Sequence, residues 1–186
     1  MRWPFLSLAV VLGLLVAAAA HADAVADARA AEAAIARGDL NEAARLYRKA
    51  ADQGDANAQY NFTEAARLYR KAADQGDAKA RYNLGAMYRE GQGVPLDNAE
   101  AVRWFRKAAD QGDARGQFNL GVMYRDGQGV PKDLVQAKLW VSLSVENLQG
   151  EERVKAQRDS DFIASKLTPA QSAEAEKLVR EWKAKP

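Results

Sequence analysis

The sequence predicts an all-α fold: an α/α superhelical solenoid of stacked helix pairs with a C-terminal helical cap. Three observations predict it. The chain is rich in Ala, Arg, Lys, Glu and Gln, all good helix formers, and runs of Val, Ile and Thr are almost absent after the first twenty residues. The string Asn83-Leu84-Gly85-Ala86-Met87-Tyr88-Arg89-Glu90-Gly91-Gln92-Gly93-Val94-Pro95 recurs with small changes 36 residues later, as Asn119 to Pro131. Lys-Ala-Ala-Asp-Gln-Gly-Asp-Ala occurs three times, starting at Lys49, Lys71 and Lys107. A single helix pair cannot bury its own apolar face, so self-similar pairs must stack on their neighbours.

The first element is a leader. Met1-Arg2 supplies a positive start, Trp3 to Ala20 an apolar stretch, and Ala20-His21-Ala22 a small-residue pattern before Asp23. This is the layout of a secretory signal peptide over residues 1–22, cleaved after Ala22. It predicts a periplasmic or secreted protein, with no membrane insertion once the leader is gone. Residues 23–149 form the predicted solenoid. Ala24 to Arg37 and Asn41 to Asp52 make a degenerate first pair around Gly38-Asp39.

The second unit is short. The tail motif returns after 22 residues instead of 36, and the missing 14 correspond to Leu84 through Asp97. Residues 56–73 contain neither Gly nor Pro, and Ala58, Phe62, Ala65, Tyr69 and Ala72 keep one apolar stripe in phase. A single fused helix is expected there. The alternative is a break near Asn61-Phe62-Thr63, with Thr63 as a new N-cap.

The next unit has both helices. Ala78 to Arg89 carries Ala80, Leu84, Met87 and Tyr88 on one face, and Gly85 permits close approach of its partner. Gly91-Gln92-Gly93-Val94-Pro95 ends it, since glycine accepts positive φ and proline lacks a donor. Asp97 is the expected N-cap of a helix with Ala101, Trp104, Phe105, Ala108 and Ala109 inward. The pattern repeats from Asp113, and Leu134 to about Val145 is the last repeat helix. Residues 150–186 form the predicted cap. One helix covers Glu151 to Lys166, and a second follows Thr168-Pro169-Ala170-Gln171, which has the form of a capping box with Pro at the first helical position.

These motifs resemble the Sel1-like repeat, a relative of the tetratricopeptide repeat with a longer turn between its helices. The residues that carry the resemblance are Ala80, Leu84, Gly85 and Tyr88, the Gly-x-Gly-Val-Pro turn, and the Trp104-Phe105-x-Lys-Ala-Ala-x-Gln-Gly-Asp-Ala tail. The resemblance covers roughly residues 24 to 145. It implies a bacterial solenoid used for protein contacts. It also implies that the first helix of each pair lines the concave face, which would present Lys79, Tyr82, Asn83, Ala86 and Arg89, then Arg115, Phe118, Asn119, Val122 and Arg125. The partner-binding residues expected on that basis are Lys79, Tyr82, Asn83, Arg89, Arg115, Phe118, Asn119 and Arg125. Their basic and aromatic mix suits an acidic or extended peptide. The alternative for Tyr82 and Phe118 is packing between adjacent units.

Composition narrows the chemistry. The chain has no Cys, and its sole His, His21, lies in the leader. Ser-His-Asp and Cys-His catalysis, zinc sites built from Cys or His, and His-held haem are therefore unavailable to the mature chain. The net charge is +2 with acids and bases interspersed, which is no footprint for nucleic acid. The resemblance includes a β-lactamase-like branch. That branch is disulfide-rich, and none of Ser142, Ser144, Ser160, Ser165 or Ser172 begins a Ser-x-x-Lys motif. The expectation is a non-catalytic envelope scaffold or adaptor, with no cofactor and no metal, that binds a protein or peptide. The alternatives are an envelope hydrolase, and a regulator or assembly spacer that binds through its convex face or caps.

Overall fold

The computed structural model describes residues 8–53 and 57–184, with the backbone alone for residues 8–20 and for residue 58. The positive start of the leader, the side chains of its apolar stretch, and Ala56 at the start of the expected fused helix lie outside the described residues. The described residues form nine α-helices and no strand. They fall into two compact units. One reaches Lys71 and includes Gln92–Val94; the other comprises Ala72–Gly91 and the chain from Pro95 onward.

In the first unit, α1 runs from Leu8 to Ala36 and α2 from Leu40 to Asp52. The backbone passes through Ala22-Asp23 as continuous helix. Gly38, at φ +79°, makes the tight turn between the two helices, and Asp39 caps α2 by accepting from the Glu42 amide at 3.0 Å. Helix α2 packs on α1 through Ala43, Ala44, Leu46, Tyr47, Ala50 and Ala51. The truncated second repeat is one helix, α3, Ala58–Asp74, unbroken at Asn61-Phe62-Thr63. Thr63 sits inside it, and its hydroxyl donates to the Gln59 carbonyl at 2.8 Å rather than opening a new helix. The buried stripe differs slightly from the expected one. Ala65, Tyr69 and Ala72 are buried as expected, Asn61 and Leu68 are buried beside them, and Phe62 is half-buried at the edge.

The two Gly-x-Gly turns explain the register. Gly93 and Gly129 both adopt φ +68°. A Cβ on Gly93 would lie 2.1 Å from the Phe62 carbonyl oxygen, and one on Gly129 would lie 2.3 Å from that of Asn98. Each turn thus rests its backbone directly on that of an earlier helix, inside α3 for Gly93 and at the start of a helix for Gly129, a contact that only glycine permits. The spacing between the paired positions is the same 36 residues. Phe62 therefore occupies, inside α3, the place where a later helix begins at Asn98.

The second unit stacks α4 (Ala78–Glu90), α5 (Asn98–Asp110), α6 (Ala114–Asp126) and α7 (Leu134–Asn147), each against the next. Every one of these helices opens on an aspartate cap: Asp77, Asp97, Asp113 and Asp133. Leu84 and Met87 of α4, Phe105 of α5, Leu120 and Met123 of α6, and Trp140 and Leu143 of α7 are buried. Arg81 donates to the Ala73 carbonyl at 3.1 Å, and its repeat counterpart Gln117 donates to the Ala109 carbonyl at 3.3 Å. Each ties the end of a preceding helix to the next pair. Helices α8 (Gly150–Ala164) and α9 (Pro169–Lys183) both pack on α7. Ile163 enters the cluster around Ala137 and Val141, and Trp182 meets Trp140 edge to face at 6.4 Å. The α9 capping box has both bonds, at 3.3 and 3.0 Å. Among the described residues, no helix is long and apolar enough to cross a membrane.

Candidate functional site

Helices α4 and α6 occupy equivalent places in successive repeats. They present residues 36 apart on one side of the second unit: Lys79 with Arg115, Tyr82 with Phe118, Asn83 with Asn119. Two adjoining hollows open there. The first, of about 240 Å³, is lined by Tyr82, Arg89, Arg115, Phe118, Asn119, Leu148, Glu152 and Lys155. The second, of about 420 Å³, shares Tyr82, Arg115, Leu148 and Glu152 and adds Lys79, Asn83 and Asp113. Seven of the eight residues expected from the repeat pattern therefore line one cleft.

Each has definite surroundings. Tyr82 is half-buried and tilted against Phe105, with centroids 5.9 Å apart. Phe118 is half-buried against Ala137, Val141 and Ile163, and the Lys155 ammonium stands 5.5 Å from its ring centre. Both aromatics thus pack against the stack, the alternative that sequence had left open, and both also line the cleft. Arg89 donates to Asn119 Oδ1, pairs with Glu90 at 3.0 Å, and lies 5.8 Å from the Phe105 ring centre. Asn119 in turn donates to the Arg115 carbonyl at 2.9 Å. Arg115 pairs with Glu152 at 3.0 Å. Lys79 is exposed at the rim, and Asn83 is half-buried.

One expectation needs correction, and one residue stands apart from the cleft. Ala86 is not presented to the cleft; it is buried in the core that contains Phe105 and Leu120. Arg125 lines neither hollow. It donates to Asp126 and to Asp159 of α8 at 2.8 and 2.7 Å. The hydrogen bond to Asp126 holds the Arg125 guanidinium above its usual range, against the opposing effect of burial, and holds Asp126 below the usual carboxylate range. Arg125 is a strut between α6 and α8.

The repeat pattern missed the third wall. Leu148, Glu152 and Lys155 come from the end of α7 and from α8, outside the repeat. The repeat register of α4 and α6 carries no information about where a non-repeat helix docks.

The cleft offers cations, amides and aromatic faces, a set that binds carboxylates and apolar side chains. One other pair has the composition of a nucleophile and its base. Lys138 Nζ donates to Ser160 Oγ at 2.7 Å and to the Ser160 carbonyl at 3.3 Å. Burial pushes the Lys138 ammonium down, with Asp161 and Glu176 opposing. Ser160, however, is buried beneath the surface. The pair joins α7 to α8. Among the described residues, no group of three or more His, Cys, Asp or Glu side chains is placed to hold a metal ion.

The fold is therefore that of a helical-repeat scaffold, and its repeats identify the family. The chain belongs to the Sel1 repeat family, whose model matches residues 32–55, 57–77, 78–113 and 114–147. The truncated unit is among the matched segments. No curated protein matches the chain. Among solved structures, it is similar to a protective antigen of uropathogenic Escherichia coli strains that displays an SLR fold. The TM-score is 0.62 and the identity 34%, over 76% of this chain and 32% of that one. It is also similar to a Sel1 repeat protein from Oxalobacter formigenes, with a TM-score of 0.50 and 28% identity over 80% of this chain and 65% of that one. The chain thus spans about a third of the first of these proteins and just under two thirds of the second. Sel1 repeat proteins are generally protein–protein interaction scaffolds.

Proposed function

We propose that this chain is a non-catalytic adaptor of the bacterial envelope that captures an acidic protein segment in the α4–α6–α8 cleft. The observation that carries the proposal is the convergence of Lys79, Arg89, Arg115 and Lys155 around Tyr82 and Phe118 in one cleft. Arg and Tyr are frequent anchors of protein interfaces, and the cations outnumber the cleft's two acids, Asp113 and Glu152. The leader supports export: a positive start, an apolar stretch and Ala20-His21-Ala22 form a signal-peptide layout. Similarity to a protein described as a protective antigen accords with an exported role.

One experiment tests both parts. The full chain is expressed with a C-terminal tag in a Gram-negative host, recovered by fractionation, and used to capture partners from envelope extract. The expected product is periplasmic, begins at Asp23 by mass, and retains a partner that Arg89→Glu with Arg115→Glu releases. Recovery of uncleaved chain in the cytoplasm would refute the envelope role. Capture indifferent to both charge reversals would refute the cleft.

A second reading has its own observation. Val154 and Phe162 lie exposed on α8, an apolar pair on the cap that a partner could cover. Capture that survives the charge reversals but is lost on deleting residues 151–186 would favour that reading.

A further inference from the structure

Helix α8 is held unevenly. Its C-terminal half is anchored: Ser160 and Ile163 are buried, Lys138 bonds Ser160, and Arg125 pairs with Asp159 with both side chains only 22% and 23% exposed. Its first turn is not. Glu151, Glu152, Arg153, Val154 and Lys155 are all exposed, and the N-cap residue Gln149 makes no side-chain capping bond. Over the cleft this N-terminal stretch contributes Glu152 and Lys155. The Glu152–Arg115 pair is open to water, at 53% and 55% exposure. Exposed pairs of this kind add little stability, so either partner exchanges readily.

Glu152 therefore does two things at once. It places a carboxylate on the most accessible guanidinium of the cleft, and it does so through the least anchored part of α8. A side-chain carboxylate on Arg115, beside the rings of Tyr82 and Phe118, is what an acidic segment with a neighbouring apolar residue would itself supply. We propose that Glu152 is an internal competitor. In the free protein it occupies Arg115, and a carboxylate of the partner displaces it while an adjacent apolar side chain of the partner seats against Tyr82 and Phe118. Glu152 thereby sets the threshold for acidic partners, and Lys155, whose ammonium already lies over Phe118, supplies the second cation. The inference rests on the cleft being the partner site.

The probe is a fluorescein-labelled, end-capped hexapeptide of alternating Glu and Phe, with the Gln-Phe peptide as its neutral counterpart, followed by anisotropy at low salt. The Glu peptide is expected to bind more tightly than the Gln peptide. Glu152→Gln should raise affinity for the Glu peptide about two- to fivefold and leave the Gln peptide unchanged. Arg115→Gln should remove the preference for Glu, and in the double variant Glu152→Gln should confer no gain. A Glu152→Gln variant that binds the Glu peptide no better, while the wild type keeps its Arg115-dependent preference, overturns the competitor and leaves the cleft as the binding site. Binding that is absent, or indifferent to Arg115, overturns the cleft and the competitor together. Inorganic phosphate that displaces the Glu peptide as well as free Glu peptide does, at matched ionic strength, overturns carboxylate selectivity in favour of a general anion site.

Discussion

Gly121 lies where α6 crosses α7, and a neighbouring side chain fills the space that its missing Cβ leaves. A methyl group there would sit 2.6 Å from Val141 Cγ2, 3.0 Å from the Val141 amide nitrogen and 3.1 Å from the Ala137 carbonyl oxygen. Two of those three atoms are backbone, so relief requires movement of the helix rather than of a rotamer. Gly121→Ala would gain about 1 kcal/mol from helix propensity but incurs an overpacking cost of about 1–3 kcal/mol. The expected result is a net loss of stability in urea denaturation, despite the substitution of the best helix former into a helix. Gly85, the repeat counterpart, differs: there the three nearest atoms all belong to the Phe105 ring, the closest at 2.8 Å, so a side chain rather than a helix backbone would have to give.

At the scale of the element, the repeated aspartate caps start α4 to α7, and one of them is unusual. Asp113 accepts from the Gly116 amide at 2.6 Å. Burial nevertheless pushes its carboxyl above the usual range, while the bond to Gly116 and nearby Arg115 pull the other way. The sign follows from linkage. A carboxyl raised in the folded state stabilises the fold below its unfolded value, near pH 4, and loses that contribution as pH climbs through the folded value. At neutral pH the ionised carboxylate is a burden on the start of α6. Asparagine caps as well as aspartate and carries no charge. Asp113→Asn is therefore expected to raise the melting temperature at pH 7, with the gain vanishing at about pH 3, where both residues are neutral. A gain that persists unchanged into acid would show that desolvation of the charge is not the cause.

At the scale of the molecule, stability in a stacked array is a sum of neighbour interfaces, and the last interface of the second unit is the one made by the cap. Helices α8 and α9 cover α7: Ile163 fills the space beside Val141, Trp182 meets Trp140, and Ala156 and Ala175 are fully buried. Each large side chain removed from water contributes about 1.5–3 kcal/mol. Truncation after Gln149 should therefore cost several kcal/mol, lower the thermal midpoint, and bring self-association by size-exclusion chromatography as the α7 face is bared. A truncated chain that melts like the full one and runs as a monomer would mean that the cap adds no fold stability. The same truncation takes away Glu152 and Lys155, so the cap that closes the stack also completes the cleft.

The sequence by itself missed that α1 begins at Leu8 rather than Ala24, but it determined the repeat, the boundaries of α2 to α9 within a residue or two, the fused α3 and the capping box of α9. All of these are local: periodicity, N-cap aspartates and turn glycines act over a few residues, and identical strings 36 residues apart must build the same unit. It also brought Lys79, Tyr82, Asn83, Arg89, Arg115, Phe118 and Asn119 to one face, because a repeat copies its surface as well as its core. What only the tertiary structure decided lies beyond the repeat. Arg125 differs from Arg89 because α8 supplies Asp159 to one and not to the other. Ala86 is buried because it faces the stack. Leu148, Glu152 and Lys155 became walls of the cleft through the docking of a helix that has no counterpart in the repeat. Docking is a non-local outcome of matched apolar surfaces, and no spacing along the chain encodes it.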